Sequence, residues 1–324
     1  MMHILLSTDS NYIMPSAVMM KSVSVNNADT DIVFHILIDD GVTAFQQQQL
    51  HGVLTNKRHI VSFHLIDGKF FTNFPALGKV KTYITKATYY RLFISDILPE
   101  DIQRVIYLDG DMIVRGSLEE LWNANIQGKA VGVVTDMALN SKDFSRLGYS
   151  ESYGYFNAGM LLVNLAYWRE HHLKDLFLSL IMNEPQRIVL HDQDVLNITL
   201  HDSKVELPAK FNCQNGFLMK PEFSELGKWK SQYANTIGQA IKAPVVVHYT
   251  DTIKPWHVED ANPYGYEFIK YYKQTVFRYT PLSECGSGKF RHFIGKVLRR
   301  LYLVSPVVRN HDKYYSLEEI GRLS

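Results

Sequence analysis

The sequence predicts an α/β protein built on a mainly parallel sheet that has helices on both faces. Short runs rich in Val, Ile and Leu alternate with helical patterns through the first two-thirds of the chain. This alternation is typical of βαβ units, whose parallel strands are covered on both sides. Polar residues follow directly after three of the runs, at the sheet edge where α/β proteins bind ligands. Those three places are Asp9-Ser10-Asn11-Tyr12, Asp109-Gly110-Asp111 and Asp136.

Each predicted element follows from a local pattern. A strand is predicted where β-branched and other apolar residues fill a short run, and a helix where apolar residues recur at helical spacing. The predicted strands are residues 4–8, 32–38, 60–66, 105–108 and 130–135, and the helices between the first three are residues 15–25 and 45–54.

The composition is that of a soluble globular protein. Of the 324 residues, 46% are hydrophobic and 21% charged, which is close to the globular average. Cys213 and Cys285 stand in no metal-ligand spacing, which fits a reducing compartment, with one disulfide as the alternative. The first residues are too short an apolar run for a signal peptide, and no stretch approaches the ~20 apolar residues of a spanning helix. We therefore expect a cytoplasmic protein, with no nucleic-acid partner.

Charge divides the chain into two regions. The net charge is +1, but residues 289–324 hold eight Lys or Arg against three Asp or Glu. A linker at Thr280-Pro281 and 285–288 precedes this basic stretch. We predict one domain over residues 1–280 and a basic, amphipathic C-terminal region over residues 281–324.

The strongest local signal is Asp109-Gly110-Asp111, directly after the predicted strand 105–108. Carboxylates two apart on an extended segment point to one side, ~6–7 Å apart along the chain. Gly110 lets the backbone bend and a bulky ligand approach closely. Such a pair suits a divalent cation whose other ligands are phosphate oxygens. The alternative is a plain turn after a buried strand.

A second cluster begins at His248, at the end of the apolar run 245–247, and continues to Lys254-Pro255-Trp256-His257. An imidazole that joins the two carboxylates favours manganese over magnesium. Lys254 is placed to neutralise a departing diphosphate. The alternative for His248 is a histidine that is hydrogen-bonded in the core.

Two further clusters are polar. Asn157 and Asn164 bracket an apolar run, and an asparagine side chain suits sugar hydroxyls because it both donates and accepts hydrogen bonds. Turn capping is the alternative. Asp192 and Asp194 lie near a predicted helix start, where residues two apart do not share a face, so at most one of them faces a ligand. For Asp192 the alternative is an N-cap.

Taken together, these segments resemble the retaining glycosyltransferases of family eight, which include bacterial lipopolysaccharide galactosyl- and glucosyltransferases and, more distantly, glycogenin. The resemblance runs from residue 4 to residue 256 in the family's order. It is carried by Thr8-Asp9-Ser10-Asn11-Tyr12, Ala87-Thr88-Tyr89-Tyr90-Arg91-Leu92, Tyr107-Leu108-Asp109-Gly110-Asp111, Phe156-Asn157-Ala158-Gly159, Asp192-Gln193-Asp194, and His248-Tyr249 with Lys254-Pro255-Trp256.

The resemblance implies a GT-A fold and a role for each matching residue. The family's pattern places the nucleotide at the first motif and the metal at Asp109 and Asp111 together with His248. It places the donor sugar at the remaining motifs. The nucleotide would be bound by Thr8, Asp9, Asn11 and Tyr12, the last three around uracil. Mn²⁺, or alternatively Mg²⁺, would be held on the diphosphate by Asp109, Asp111 and His248, beside Gly110 and Lys254. The sugar would be surrounded by Arg91, Asp136, Asn157, Ala158, Asp192 and Gln193, and the catalytic residues would be Arg91, Asp192, Gln193 and Asp194.

The implied activity is metal-dependent transfer of a hexose, with retention, from UDP-glucose or UDP-galactose. The implied acceptor is a saccharide or a lipid-linked glycan, such as lipopolysaccharide or another cell-surface glycan. The sequence leaves open whether a carboxylate attacks covalently or the acceptor enters on the leaving-group face. It departs from the family at Tyr83, where some bacterial members have a phosphate-contacting histidine. It also departs at 250–253, which lack a glycine that some members have.

The C-terminal region contains a second kind of pattern. From residue 289, apolar residues recur at helical spacing and basic residues occupy the other positions, with no acid before Asp312. A basic amphipathic helix over residues 289–304 is typical of a peripheral anchor on an anionic membrane, here the inner membrane. The alternative is a helix packed on the domain. Its apolar positions are Phe290, Phe293, Ile294, Val297, Leu298, Leu301 and Tyr302.

Two other functions are weighed against transfer of a sugar. A metal-dependent nucleotidyltransferase acting on sugar phosphates shares the sheet and the metal, but normally has a glycine-rich, basic phosphate loop. Residues 7–12 contain neither glycine nor a basic residue. A sugar-binding module without catalysis has little use for two carboxylates beside His248.

Overall fold

The computed structural model describes residues 1–67, 87–136, 141–220, 237–238, 240–283 and 313–322. The predicted stretch 289–304, Tyr83 and Cys285 lie outside these residues. The strands are β1 Met2–Ser7, β2 Ile32–Ile38, β3 His59–Leu65, β4 Arg104–Leu108, β5 Met112–Val114, β6 Val131–Thr135, β7 Phe156–Asn164, β8 Lys204–Glu206, β9 Cys213–Gln214 and β10 Val246–His248.

The helices alternate with these strands in the first half of the chain and cluster in the second. Most are short, and α1, α8 and α9 are the long ones within the described ranges. They are α1 Ile13–Asn26, α2 Ala44–His51, α3 Ala87–Tyr90, α4 Ile94–Ile97, α5 Glu119–Trp122, α6 Ser141–Leu147, α7 Leu165–Glu170, α8 Leu173–Asn183, α9 His191–Leu200, α10 Asn215–Leu218, α11 Gly265–Tyr272 and α12 Leu317–Arg322.

Every strand and helix predicted for the first 135 residues is present. The strand Ile32–Ile38 has the predicted bounds, and the others shift by one to three residues. Helix α2 begins with a capping box between Thr43 and Gln46, and it ends before Gly52, whose N–H bonds back to the carbonyl groups of the last turn. These local hydrogen bonds fix the first and last residues of the helix, which the apolar pattern alone does not specify.

The main sheet has the strand order β3-β2-β1-β4-β7-β6-β8. All neighbours in it pair in parallel except β7, which is antiparallel to both β4 and β6. The prediction of a mainly parallel sheet is confirmed. Because β7 is reversed, its first residues lie at the same edge as the last residues of β1, β4 and β6. The polar clusters after these strands therefore meet.

A smaller sheet, in the order β5-β10-β9, adds the remaining cluster to this edge. Strand β5 follows directly on the Asp109–Asp111 turn, and His248 pairs with Met112 of β5 and with Gln214 of β9. This pairing brings residues far apart in the sequence beside the turn.

Both faces of the main sheet are buried, as the apolar runs predict. Along β1, Ile4 and Leu6 belong to one core and Leu5 to the other, which is the period of two of a covered strand. Tyr314 and Ile320, near the C-terminus, belong to the first of these cores. In the described part of the chain no helix is long and apolar enough to cross a membrane.

Three histidines form a hydrogen-bonded row across β1, β2 and β3. His3 Nδ1 lies 3.0 Å from His35 Nε2, and His35 Nδ1 lies 3.0 Å from His64 Nε2. Burial is the main cause that lowers the pKa of His35, to about 3, and the neighbouring rings of His64 and His3 lower it further. The row is therefore neutral at physiological pH.

Candidate active site

The turn between β4 and β5 carries the first two functional carboxylates. Its backbone is tied to β7, because the Asp109 N–H donates to the Gly159 carbonyl oxygen at 2.9 Å. A Cβ on Gly110 would lie 2.8 Å from Ser16 Oγ and 3.0 Å from the Tyr12 ring. A residue without a side chain is thus required because the turn packs on the start of α1. This reason adds to the predicted one, the close approach of a ligand.

Asp109 has one oxygen held by the protein and one left for the site. Its Oδ1 accepts hydrogen bonds from Arg91 Nη2 and from the Tyr107 hydroxyl, both at 2.8 Å. The Arg91 guanidinium also stacks on the Tyr107 ring, 4.1 Å from its centroid. Asp109 Oδ2 lies 4.0 Å from His248 Nε2. The second oxygen therefore faces the same point as the imidazole.

His248 is held in one tautomer by a chain of amides. The Gly159 N–H donates to Asn157 Oδ1 at 3.0 Å, which fixes that atom as an oxygen. Asn212 Nδ2 donates to the same oxygen at 2.9 Å, so Asn212 Oδ1 is the atom 3.0 Å from His248 Nδ1. That ring nitrogen must carry the hydrogen. The lone pair is then on Nε2, which lies 3.4 Å from Asp111 Oδ1.

Asp109, Asp111 and His248 fit a divalent cation. One ligand atom from each lies within 4.8 Å of the other two. Two carboxylate oxygens and one neutral imidazole are a donor set that Mn²⁺ accepts. Lys254 Nζ lies 2.8 Å from Asp111 Oδ2, on the oxygen that the imidazole does not face. Burial by itself raises the pKa of Asp111, but the Lys254 ammonium beside it opposes this effect, and the pKa lies well below its usual range.

Arg91 is buried between the Asp109–Asp111 turn and the start of α9. Its Nε donates to the Thr88 carbonyl oxygen at 3.2 Å, and its Nη1 donates to the Ala158 carbonyl oxygen at 2.6 Å. Together with the bond to Asp109, three of the five N–H groups of a guanidinium are engaged by the protein. Arg91 therefore holds the carboxylates in place, besides lining the site.

Asp192 lies on the other side of Arg91. Its Oδ2 is 3.0 Å from Arg91 Nε, a charge contact, yet it accepts no hydrogen bond from the residues described here. Burial is the main cause that raises the pKa of Asp192, to about 7, although Arg91 opposes it. Asp192 is the second residue of α9, whose N-cap is Leu190, so the N-cap alternative for Asp192 is wrong.

A connected amide network lines the site beside the start of α9. Gln193 Oε1 accepts from the Ala158 N–H at 2.9 Å, and Gln193 Nε2 donates to Asp136 Oδ2 at 3.0 Å. Asn157 Nδ2 donates to the same Asp136 oxygen at 3.1 Å. Because Asn157 also bonds to Asn212, the network extends without a break to His248.

Asp194 and Asn11 are placed away from the site. Asp194 is fully buried, and its Oδ2 accepts the Val189 and Leu190 N–H groups at 2.7 and 2.6 Å and Arg146 Nη1 at 2.7 Å. It does not line the cavity, as expected for a residue two positions from Asp192 on a helix. Asn11 is exposed and does not line the cavity either.

Another wall of the site is built at the start of α1. Asp9 Oδ1 accepts the Asn11 and Tyr12 N–H groups at 2.8 and 3.1 Å, so Asp9 shapes the turn. The Tyr12 ring packs edge-on against Trp256, with centroids 5.5 Å apart. Thr8, Asp9, Tyr12 and Trp256 all line the cavity. They form an aromatic and polar wall next to Asp109, Asp111 and His248.

These groups surround one open cavity of about 810 Å³, a volume typical of small-molecule sites. Several residues of the site were not predicted from the sequence. The period of two along β4 could have pointed to Tyr107, which shares a side with Asp109. Asn212, which lies behind the cavity wall, carried no local signal. Further lining residues that were not predicted include Ser7, Thr88, Gln214, Gly216 and Phe217.

Comparisons with known proteins agree with this geometry. Residues 3–260 match the profile of glycosyl transferase family 8. The chain is 32% identical to a lipopolysaccharide 1,2-glucosyltransferase of Escherichia coli over 254 residues, which is 77% of this chain and 71% of the relative. It is 28% identical to General stress protein A of Bacillus subtilis (strain 168), over 85% of this chain and 94% of the relative.

A further relative and a solved structure complete the comparison. Lipopolysaccharide 1,3-galactosyltransferase of Salmonella typhimurium is 29% identical, over 81% of this chain and 75% of its own length. The crystal structure of galactosyltransferase LgtC in complex with donor and acceptor sugar analogs superposes with a TM-score of 0.74, at 24% identity, over 90% of this chain and 99% of that one. At this identity the likeness shows the fold, which is that of LgtC.

Proposed function

The chain belongs to glycosyl transferase family 8, and we propose that this hexosyltransferase moves glucose or galactose from a UDP-sugar to a saccharide acceptor with retention. The observation that carries the proposal is the convergence of Asp109, Asp111 and His248 beside Lys254 in one cavity. A metal-bound diphosphate is the ligand that this combination of two carboxylates, an imidazole and an ammonium suits best.

Manganese is the proposed cofactor, with magnesium as the alternative. Asp109 Oδ2, Asp111 Oδ1 and His248 Nε2 would hold it. When bound, the ion stabilises negative charge on the diphosphate as a Lewis acid. Lys254 adds a second positive charge. The protein itself therefore also stabilises the negative charge that develops on the departing UDP.

The donor sugar is proposed to lie between Arg91 and the start of α9. Asp192 offers a buried carboxylate oxygen without a hydrogen bond from the described residues, and Gln193 and Asp136 lie beside it in the amide network. Asp192 and Gln193, with Arg91, are the residues we assign to catalysis. Asp194 is assigned a supporting role, because it holds the turn that leads into α9.

Lipopolysaccharide or another lipid-linked glycan is the proposed acceptor, in line with the names of the relatives from Escherichia coli and Salmonella typhimurium. We further propose that the enzyme acts at the cytoplasmic side of the inner membrane and attaches there peripherally through residues 289–304. The support for attachment is the basic, amphipathic sequence of that stretch.

Hydrolysis and binding of the donor test the proposal. The full-length protein is incubated with UDP-glucose or UDP-galactose, with manganese or with EDTA, and released UDP is measured. We expect one of the two donors to be hydrolysed only when manganese is present, and thermal stabilisation by that donor. Turnover of a nucleoside triphosphate with a sugar phosphate, without hydrolysis of either UDP-sugar, would indicate the nucleotidyltransferase instead.

A further inference from the structure

The loop 249–254 joins the last metal ligand to the phosphate-facing lysine. His248 ends β10, and Lys254 returns to the same site, where its Nζ lies 2.8 Å from Asp111 Oδ2. The Tyr249 carbonyl oxygen accepts a second hydrogen bond from Lys254 Nζ at 2.5 Å. The conformation of this loop therefore decides whether the ammonium faces the proposed metal.

The middle of the loop is tied to the C-terminal segment 313–322, which we name the C-terminal clasp. Asp251 Oδ2 accepts a hydrogen bond from the Tyr314 hydroxyl at 2.8 Å and lies 3.2 Å from Lys313 Nζ. Burial by itself raises the pKa of Asp251, but the bonds from Tyr314 and Lys313 outweigh it and lower the pKa. Asp251 lies in the stretch 250–253 that departs from the family's glycine.

A second contact joins the clasp to the same loop through α10. Asn215 Nδ2 donates to the Tyr314 hydroxyl at 2.9 Å, in a buried position. The Asn215 N–H donates to Thr250 Oγ1 at 3.3 Å. The residues before and after Asn215, Gln214 and Gly216, line the cavity. Tyr314 thus lies between two pieces of the cavity wall and bonds to both.

The clasp is fixed on the domain by contacts of its own. The Lys220 N–H donates to the Lys313 carbonyl oxygen and the Tyr315 N–H to the Leu218 carbonyl oxygen, both at 3.0 Å, as a short antiparallel bridge. Tyr314 and Ile320 are 5% and 3% exposed. These buried side chains and backbone hydrogen bonds hold Lys313 and Tyr314, the two partners of Asp251, in place.

We propose that Lys313 and Tyr314 are positioning residues of the donor site, which act through Asp251 to keep Lys254 on the diphosphate. The proposal rests on the proposed function, because it names what holds that function's lysine. Tyr314 comes sixty residues after Lys254 in the sequence. The C-terminus of the chain therefore contributes to donor binding, although no residue of the clasp lines the cavity.

Three variants and a control test it in the full-length protein. Tyr314→Phe keeps the buried ring and removes the hydroxyl, and Lys313→Met removes the charge. Lys313→Arg is the conservative rescue. Glu318→Gln is the control in the same segment, because Glu318 is exposed and bonds to Arg322 within α12. Thermal unfolding verifies that each variant is folded.

Two readouts separate this proposal from the proposed function. Hydrogen exchange at the Thr252 and Lys254 amides, which bond to Asp251 Oδ1 and to His257 Nδ1, reports on the loop whatever the donor is. Titration with UDP and manganese reports on the site. We expect faster exchange in Tyr314→Phe and Lys313→Met. We expect UDP binding to weaken by roughly three- to tenfold, the effect of one ordinary hydrogen bond, because both residues act on the site only through the loop. Lys313→Arg and Glu318→Gln should behave as the wild type.

Unchanged exchange in both Tyr314→Phe and Lys313→Met would overturn the clasp. Faster exchange with unchanged UDP affinity would overturn it as well, since the loop would then move without consequence for the site. If the wild type fails to bind UDP with manganese, the proposed function is wrong, and the exchange result still decides whether the clasp holds the loop.

Discussion

Asn212 accepts the Nδ1 hydrogen of His248 at 3.0 Å and so turns the Nε2 lone pair towards the two aspartates of the β4–β5 turn. The orientation of the amide is itself set by the Gly159 N–H, through Asn157. A buried asparagine that does not line the cavity therefore decides which histidine nitrogen is available to a metal.

We predict that Asn212→Ala lowers manganese affinity by about 10- to 100-fold, the usual effect of removing a partner of a metal-bound histidine. The ring loses the acceptor that fixes its tautomer, and Asn157 loses a donor. Titration with manganese measures the effect. Asn183→Ala, at an exposed position of α8, is the control. Equal manganese affinity in Asn212→Ala and wild type would contradict the assigned tautomer.

We predict that Asp109→Asn and Asp111→Asn each lower donor hydrolysis by roughly 10²-fold or more and leave the fold intact, because both remove negative charge from the proposed metal site. Tyr107→Phe is the graded comparison, since it removes one of two hydrogen bonds to Asp109 Oδ1 and should cost less. The measurement is UDP release with manganese present, beside far-UV circular dichroism. Full activity in either aspartate variant would exclude the metal assignment.

We predict that Asp194→Ala destabilises the protein by about 3–5 kcal/mol, the cost of removing one member of a buried ion pair. The change leaves Arg146 and the Val189 and Leu190 N–H groups without their shared acceptor. Urea unfolding measures the free energy. Glu184→Gln is the control at an exposed ion pair. The Glu184 side chain is about half exposed, so its pair with Arg187 should contribute at most about 1 kcal/mol to the free energy of unfolding. A loss of activity without a loss of stability in Asp194→Ala would instead support a catalytic role for Asp194.

We predict that acid destabilises the protein through His35. The pKa of His35 is about 3 in the fold and 6.5 unperturbed, so the neutral ring is favoured by folding. The stability that this contributes is fully present above pH 6.5 and is lost as the pH falls from 6.5 towards 3, at up to about 1.4 kcal/mol per pH unit. Urea unfolding between pH 7 and pH 4.5 measures the slope. His35→Gln should flatten it by about one proton, and an unchanged slope would contradict the neutral row.

We predict that neutralising the basic residues of 289–304 releases the protein from anionic vesicles, since each Lys or Arg near such a surface contributes about 1 kcal/mol. Substitution is the better test than deletion from residue 289, which would also remove the Lys313 and Tyr314 contacts with Asp251. Co-sedimentation with vesicles across a salt series measures binding, and equal partitioning of both forms would favour a helix packed on the domain. The substituted positions are Lys289, Arg291, Lys296, Arg299 and Arg300.

The sequence by itself determined strands β1 to β4 and β6, and the polar clusters that follow β1, β4 and β6. Each of these depends on residues close together in the chain, such as the apolar run before Asp109 or the alternation along β1. The helical spacing also predicted that Asp192 and Asp194 face different ways, as they do.

Only the tertiary structure decided how those residues are held. The bond between His248 and Asn212, those from Arg91 to Asp109 and Ala158, and those from Tyr314 to Asp251 and Asn215 each join residues that lie 18 to 99 positions apart. No local pattern specifies such contacts, because they are selected when the faces of separate elements pack and every buried donor and acceptor must find a partner. The chain's pattern thus places the chemistry, and packing between distant segments orients it.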